Sequence, residues 1–478
     1  MQRSPVAALP GLLFAAALGA AEPVDIGDRL ELFVDRFLLG KLDGVTLRLR
    51  EPRPAGVALR FDRPWEGPFS GYPTVIYDGT KYRMYYRGLP SAGRDGSEAE
   101  VTCYAESPDG IRWEKPELGL FEVAGTRATN VILAGQAPAS HNFSPFLDAR
   151  PGVPEEERFK ALAGTSESGL LAFVSADGVR WRKLREEPVL RGGAFDSQNV
   201  SFWSPAERRY VCYFRTWTEG GFRGYRTFSR ATSEDFLSWS EGVPADFGDA
   251  PREHLYTNQT HPYFRAPHIY IGVPMRFFPG RKVLSPERAE ALGVHPGYRG
   301  DCADAVFIST RDGVRFDRTF LEAFIRPGED PGNWASRAGL TALGVVPTGP
   351  AEMSLYKQAH YAQPTAHIVR YALRTDGFVS ASAPYSGGEL LTRPFRFRGR
   401  ELLLNVSTSA AGSVRLEIQD PSGVPVPGFR LEDSEEIVGD EIEARVVWKG
   451  GDLAPLAGRA VRLRVVLKDA DLYAFRFR

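Results

Sequence analysis

Cysteine is scarce in this chain, with three among 478 residues: Cys103, Cys212 and Cys302. So few, and an odd number, exclude a disulfide-built scaffold, and their spacing matches no zinc site. Each sits in an apolar, strand-like segment, so buried thiols are expected. Net charge is lacking too: 59 Lys and Arg face 60 Asp and Glu, for a formal charge of −1. That balance removes the electrostatic basis for nucleic acid or an anionic membrane as partner. Beyond the N-terminus no apolar run approaches the about 20 residues of a membrane-spanning helix. Long amphipathic helical runs are few, and Pro286–Leu292 is the clearest short helix.

The first residues read as a secretory signal. Arg3 supplies a positive start, Val6–Leu18 is apolar but broken by Pro10 and Gly11, and Gly19-Ala20-Ala21 offers small residues for cleavage before Glu22. A short membrane anchor is the alternative. Residues 1–21 are therefore expected to be a signal peptide, and the chain to be secreted or periplasmic. No Cys stands beside the cleavage point to carry a lipid.

What is abundant is aromatic residues, at 12%, with 49 Gly and 36 Pro, a composition that suits strands and turns. One motif recurs: Ser107-Pro108-Asp109-Gly110-Ile111-Arg112-Trp113, then Ser175-Ala176-Asp177-Gly178-Val179-Arg180-Trp181. A third copy, Ser233 to Trp239, has Phe236 in place of Gly. A fourth, Thr310 to Phe316, ends in Phe, and a weaker fifth runs Arg374-Thr375-Asp376-Gly377-Phe378. The Asp positions recur at intervals of 58 (177 to 235) to 77 (235 to 312) residues. Each copy follows an apolar strand, so each reads as a hairpin turn whose Asp-Gly supplies the positive φ values of a tight turn. A repeat of this length with several strands is the sequence form of a propeller blade. Thr74–Tyr77, Tyr82–Tyr86, Tyr210–Phe214 and Ile269–Val273 supply further strands. The expected architecture is all-β: a five-bladed β-propeller over residues 22–384. It is followed over 385–478 by a β-sandwich with strands Leu402–Val406, Val414–Ile418, Ile442–Trp448 and Val461–Val466.

A propeller gathers polar groups on its axis, where innermost strands begin. Five clusters fit: Pro64-Trp65-Glu66-Gly67 with Tyr72, His141 to Asp148, Phe195 to Asn199 with Arg215, Glu253 to Tyr256 with Arg276, and Gly328 to Trp334. Carboxylates, Arg, His and aromatics together suit sugar chemistry. Glycosidic cleavage needs one protonated carboxyl and one carboxylate, and Arg forks onto a carboxylate or an acidic sugar group. Asp196, Asp148 and Glu66 are the candidate catalytic carboxylates. Arg215, Arg276, His141, Tyr256, His254 and Trp334 are the candidate substrate-binding residues, and a carbohydrate is the expected ligand. Plainer alternatives stand beside them: turn caps for the Asp residues, a solvated loop for Glu66, structural ion pairs for the Arg residues, satisfied hydrogen bonding for His141 and His254, and packing for Trp334. No His/Asp/Glu spacing defines a metal site, and no cofactor is expected. A Ca²⁺ in the channel would suit the fold class without any motif to support it. Nothing in the sequence sets an oligomeric state.

These hairpins resemble those of the five-bladed propeller glycoside hydrolases of the invertase, levansucrase and arabinanase group. Closer still is the resemblance to a set of uncharacterised exported bacterial proteins, carried by Leu32-Phe33-Val34-Asp35-Arg36, Pro64-Trp65-Glu66-Gly67, Tyr104 to Gly110 and Phe195-Asp196. The resemblance covers nearly the whole chain after residue 21. It implies an acidic axial pocket acting on a glycan. It departs at the invertase-type Asn-Asp-Pro-Asn, Arg-Asp-Pro and Glu-Cys signatures, which are absent, so a non-catalytic glycan-binding propeller is the alternative.

Overall fold

The computed structural model describes residues 22–478, and the expected signal peptide, 1–21, lies outside them. The described chain is almost entirely β, with one α-helix, Pro286–Ala291, capped by the Ser285 hydroxyl. Five sheets are four-stranded and antiparallel. The first comprises Gly71–Tyr77, Tyr82–Gly88, Val101–Ser107 and Val131–Leu133. The second comprises Ser144–Leu147, Phe159–Thr165, Gly169–Ser175 and Arg182–Lys183. The third comprises Val200–Ser204, Arg209–Trp217, Arg226–Ser233 and Val243–Pro244. The fourth comprises His261–Tyr263, Ala266–Gly272, Ile308–Thr310 and Phe316–Asp317. It is prolonged by a three-stranded sheet of His254–Leu255, Met275–Phe278 and Cys302–Ala305.

The fifth sheet takes three strands from Val346–Pro347, Glu352–Ala359 and His367–Arg374, and its outermost strand is Arg53–Arg60. An early strand therefore completes the last sheet and ties the two ends of the five-sheet segment together.

Neighbouring sheets touch in cyclic order. Thr74 and Ser144 share a hydroxyl hydrogen bond of 3.3 Å. Tyr210 of the third sheet donates to Asp148, which follows the second sheet's first strand, and Tyr270 of the fourth donates to Ser204 of the third. The Val345 N–H reaches His261 Nε2 at 3.2 Å, and Val75 N–H reaches Leu343 O at 2.8 Å, which closes the circle. The five innermost strands line one cavity of about 500 Å³ at their far ends. An amide plug stops it from above: Gln198 Nε2 donates to Tyr72 O, Pro73 O and Thr74 Oγ1 at 3.0–3.2 Å, and Gln259 donates to Gln198 and to Thr341 O.

Four of the five repeated motifs are the expected turns. In the first, Asp109 Oδ1 accepts from the N–H groups of Ile111 and Arg112 at 2.8 Å, Ser107 Oγ accepts from Gly110 N–H, and Gly110 has φ +73°. Burial acts to raise the Asp109 pKa, but these backbone bonds outweigh it and hold the carboxyl below its ordinary value. Phe236 takes the same left-handed conformation, φ +69°, in the third copy. Its ring packs 5.7 Å from Phe146 and 5.1 Å from Tyr210, which offsets a strain of about 1–2 kcal/mol. The turns lock neighbouring sheets: Tyr356 OH donates to Gly110 O at 2.5 Å and Tyr213 OH to Gly313 O at 2.6 Å.

The fifth copy is different. Asp376 is buried and accepts from Tyr263 OH at 2.7 Å and from Asn405 Nδ2 at 2.9 Å. No outer hairpin is needed there, because Arg53–Arg60 already fills the outer position. The chain instead leaves the ring into an eight-stranded terminal sheet.

That terminal sheet is built on the long pair Leu402–Gln419 and Arg462–Phe477. The expected strands 402–406 and 414–418 are halves of one strand with a register shift between Thr408 and Ser413. Leu39–Asp43, Thr46–Leu49 and Val379–Ala383 also belong to this sheet. Sheet membership thus divides the chain differently from the expected boundaries 22–384 and 385–478. Strand partners so distant in sequence leave no local mark, which is why residues 39–49 read as the start of the ring. Its core gathers Phe33, Phe395, Phe397, Trp448, Phe475 and Phe477.

Candidate functional site

The first strands begin at one end of the ring, and backbone strain concentrates there. Tyr72, Asn142, Phe195, Gln259 and Ser336 are non-glycine residues with φ between +48° and +62°. Each costs on the order of 1 kcal/mol, and such strain is kept where surrounding structure and function demand it.

Around this mouth stand four arginines. Arg87, on the second strand of the first sheet, donates to Phe69 O, Asn142 Oδ1 and Tyr361 OH at 2.9–3.2 Å and lies 4.7 Å from the Tyr72 ring centroid. Arg215, equally placed in the third sheet, donates to Asp196 Oδ2 at 2.8 Å and to Tyr256 O. Arg226 opens the next strand, and Arg337 follows the strained Ser336. The guanidinium carbons of Arg215, Arg337 and Arg226 lie 4.1, 4.9 and 5.3 Å from the Tyr256 ring centroid. Tyr298, carried in after the insertion helix, lies 4.9 Å from Arg337 and meets Tyr361 edge to face at 5.6 Å.

Hydrogen-bonding capacity here is unspent. Among the described residues Asp196 Oδ1 and the Nε atoms of Arg215, Arg226 and Arg337 are buried without a protein partner. Burial, then the like charges of Arg215 and Arg337, weaken the hold of Arg226 on its proton, and Tyr256 and Asp196 oppose them. Burial pushes the Tyr72 hydroxyl well above its usual range, so it stays a neutral donor.

Of the residues expected from sequence, Asp196, Arg215 and Tyr256 meet in this mouth. Two more stand behind it. His141 is buried, with Nδ1 2.9 Å from Glu100 and Nε2 3.1 Å from Asn142 Nδ2. His254 Nδ1 accepts the Arg226 N–H at 3.1 Å, and its ring packs 4.9 Å from Tyr225. Burial, then Arg226, depress its pKa, favouring the neutral ring that acceptance requires.

The other four lie elsewhere. Asp148 follows the strand Ser144–Leu147, whereas Asn142, which reaches Asp196 O at 3.5 Å, precedes it. Extended chain separates the two ends by on the order of 15 Å. Asp148 is enclosed by Lys160 at 3.0 Å and Tyr210 at 2.7 Å. Glu66 is buried against Lys115 at 2.6 Å, Tyr86 OH at 2.5 Å and Arg63 N–H at 3.0 Å. Arg276 forks onto Asp304 at 2.6 and 2.9 Å and bonds Glu253 at 2.8 Å, while Glu253 also pairs with Arg318. Trp334 donates its indole N–H to Gly328 O within its own loop, and Asp330 pairs with His360.

Sequence reasoning missed Arg87, Arg226 and Arg337. Arg87 had a signal, because Tyr86-Arg87-Gly88 repeats the second-strand placement of Phe214-Arg215-Thr216. Beside the mouth, a cavity of about 770 Å³ lies between the third and fourth sheets, with Trp217, Phe222, Tyr225, Phe247, Glu253 and Arg318 among its walls. Asp95, Glu100 and His141 bring ligand atoms within 4.8 Å of one another, but Glu100 and His141 already satisfy each other.

No family model matches the chain, and no curated protein does. Solved structures similar to it include a glycoside hydrolase at 13% identity and TM-score 0.47, over 68% of this chain and 92% of that one. Another is an N-acetylgalactosamine deacetylase from F. plautii, in complex with blood group B trisaccharide, at 13% identity and TM-score 0.44, over 69% and 95%. A third is a fructofuranosidase from Schwanniomyces occidentalis, complexed with fructosylnystose, at 10% identity and TM-score 0.40, over 89% and 97%. At these values the likeness carries nothing about substrate or catalytic residues. The neighbours are largely glycoside hydrolases.

Proposed function

We propose that this chain is an exported carbohydrate-recognising protein, in which a five-bladed β-propeller binds a glycan at its axial mouth and the terminal sheet forms a β-sandwich with the N-terminal strands. The ring of sheets closed by Arg53–Arg60 supports the propeller. The convergence of Arg215, Arg226 and Arg337 on one tyrosine ring, beside Asp196, carries the functional part. Half-buried Tyr298, backed by the buried Tyr361, adds a flat apolar face with a hydroxyl, which suits one side of a sugar ring.

Binding is favoured over hydrolysis. Cleavage needs two carboxyl groups about 5–5.5 Å apart for retention or about 6.5–9.5 Å for inversion. Asp148 and Glu66, the expected partners of Asp196, are enclosed in ion pairs away from the mouth. Calorimetric titration with an oligosaccharide panel, with reducing-sugar release measured in parallel, tests the reading. Saturable binding that Tyr256→Ala abolishes, without sugar release, is expected. Failure to bind any member of the panel overturns it.

A further inference from the structure

We infer that the mouth selects an acidic sugar, whose oxyanion seats between Arg226 and Arg337. The inference rests on the carbohydrate reading and adds the ligand's charge. Its ground is a charge imbalance. Four guanidiniums line the mouth: Arg215 pairs with Asp196, Arg87 lies in the field of Glu100 and Asp95 without an ion pair, and Arg226 and Arg337 have no ion pair among the described residues. Arg87 spends its donors on neutral acceptors, the Phe69 carbonyl, the Asn142 amide and the Tyr361 hydroxyl. Among the described residues the side chains of Arg226 and Arg337 make no hydrogen bond and no ion pair. They are held only by aromatic faces: Arg226 at 4.5 Å from Trp217 and 5.1 Å from Phe277, and Arg337 between Tyr256 and Tyr298 at 4.9 Å each.

Stacking leaves the edges of a planar guanidinium free to donate. Elsewhere in this chain arginines of similar burial take carboxylates, as Arg276 takes Asp304 and Glu253 and Arg311 takes Glu31 and Asp35. A fork with unspent donors matches a carboxylate or a sulfate in two-point contact. A neutral sugar would leave these charges desolvated and uncompensated.

The probes are uronate oligosaccharides of pectic, alginate and glycosaminoglycan type, a sulfated galacto-oligosaccharide, and the methyl-esterified or desulfated form of each. The acidic form should bind at least about ten-fold more tightly than its neutralised counterpart, the scale of one charge-assisted hydrogen bond. Whether uronates or the sulfate ester bind identifies the source of the oxyanion. Arg226→Gln and Arg337→Gln should each remove most of that preference, and their circular dichroism and urea midpoints, read beside the wild type's, report that the variants are folded. Arg337→Lys, keeping the charge without the fork, should retain part of it. Neutral forms binding the wild type as tightly as acidic ones, or both Gln variants keeping the preference, overturns the inference and leaves the carbohydrate reading standing. Absence of binding to every acidic and neutral oligosaccharide overturns both.

Discussion

The Arg337 guanidinium carbon lies 4.9 Å from the centroid of the Tyr256 ring, a ring it shares with Arg215 and Arg226. One buried ring thus holds three like charges close together, each contact contributing about 0.5–2 kcal/mol depending on desolvation. Tyr256→Phe keeps the face and should change stability by less than about 1 kcal/mol. Tyr256→Leu removes it and should cost about 2–4 kcal/mol, from lost cation–π attraction and poorer packing against Phe277. Urea denaturation of the two variants separates the outcomes. Equal stabilities would mean that the ring does not organise the arginines.

The repeated turns make a second expectation. A Cβ on Gly110 would stand 2.8 Å from Thr348 Cγ2, and one on Gly178 would stand 2.6 Å from Tyr85 OH, both at positive φ. Gly110→Ala and Gly178→Ala should each cost about 2–4 kcal/mol, combining left-handed strain with overpacking. Gly119 has φ +67° but nothing within 4 Å of its Cβ position. Gly119→Ala should therefore cost only the backbone part, about 1–2 kcal/mol. Thermal denaturation of the three variants checks the ordering.

The same turns show what was legible in the sequence. Asp109 and Gly110 announce their hairpin because side chain and backbone of that turn satisfy each other locally. The fifth copy misled because Asp376 reads alike but bonds Tyr263 and Asn405, residues far away in the chain. The closing role of Arg53–Arg60 was illegible for the same reason. In the mouth, the cluster from His141 to Asp148 looks like one site on paper. The strand Ser144–Leu147 carries its two ends apart, so only the His141 end reaches the mouth. Arg226 and Arg337 were silent because their meaning lies in what they do not bond, and that depends on every neighbouring sheet.

His261 ties the third expectation to pH. It joins the fourth and fifth sheets, with Nδ1 2.9 Å from Gln259 O and Nε2 accepting the Val345 N–H. Burial lowers its pKa to about 4 from 6.5, against the Gln259 carbonyl, which acts to raise it. Between those values the unfolded chain binds a proton that the folded chain refuses. The stabilising contribution is therefore complete above about pH 6.5 and is lost as pH falls toward 4, amounting to about 3 kcal/mol. Denaturant midpoints of the wild type should fall over that window, and His261→Gln should flatten this part of the slope. An unchanged slope in the variant would assign the acid sensitivity to other groups.

Asp196 separates binding from catalysis. Its Oδ2 accepts from Arg215 at 2.8 Å, and its Oδ1 is buried without a protein partner among the described residues. In Asp196→Asn the amide oxygen can still accept from Arg215, but the buried guanidinium loses its counter-charge, at a cost of about 1–3 kcal/mol in stability. An acidic ligand loses a like-charged neighbour at the same time and takes over the compensation of Arg215. Its affinity should rise by roughly two- to ten-fold, since one removed repulsion at partly exposed range is worth about 0.5–1.4 kcal/mol. Titration calorimetry on wild type and variant reads this directly. A hydrolase using Asp196 would behave in the opposite way in turnover, losing sugar release by several orders of magnitude while binding survived. Loss of binding in the variant, with the fold intact by denaturation, would instead make Asp196 a direct acceptor for ligand hydroxyls and place the recognised anion elsewhere on the sugar.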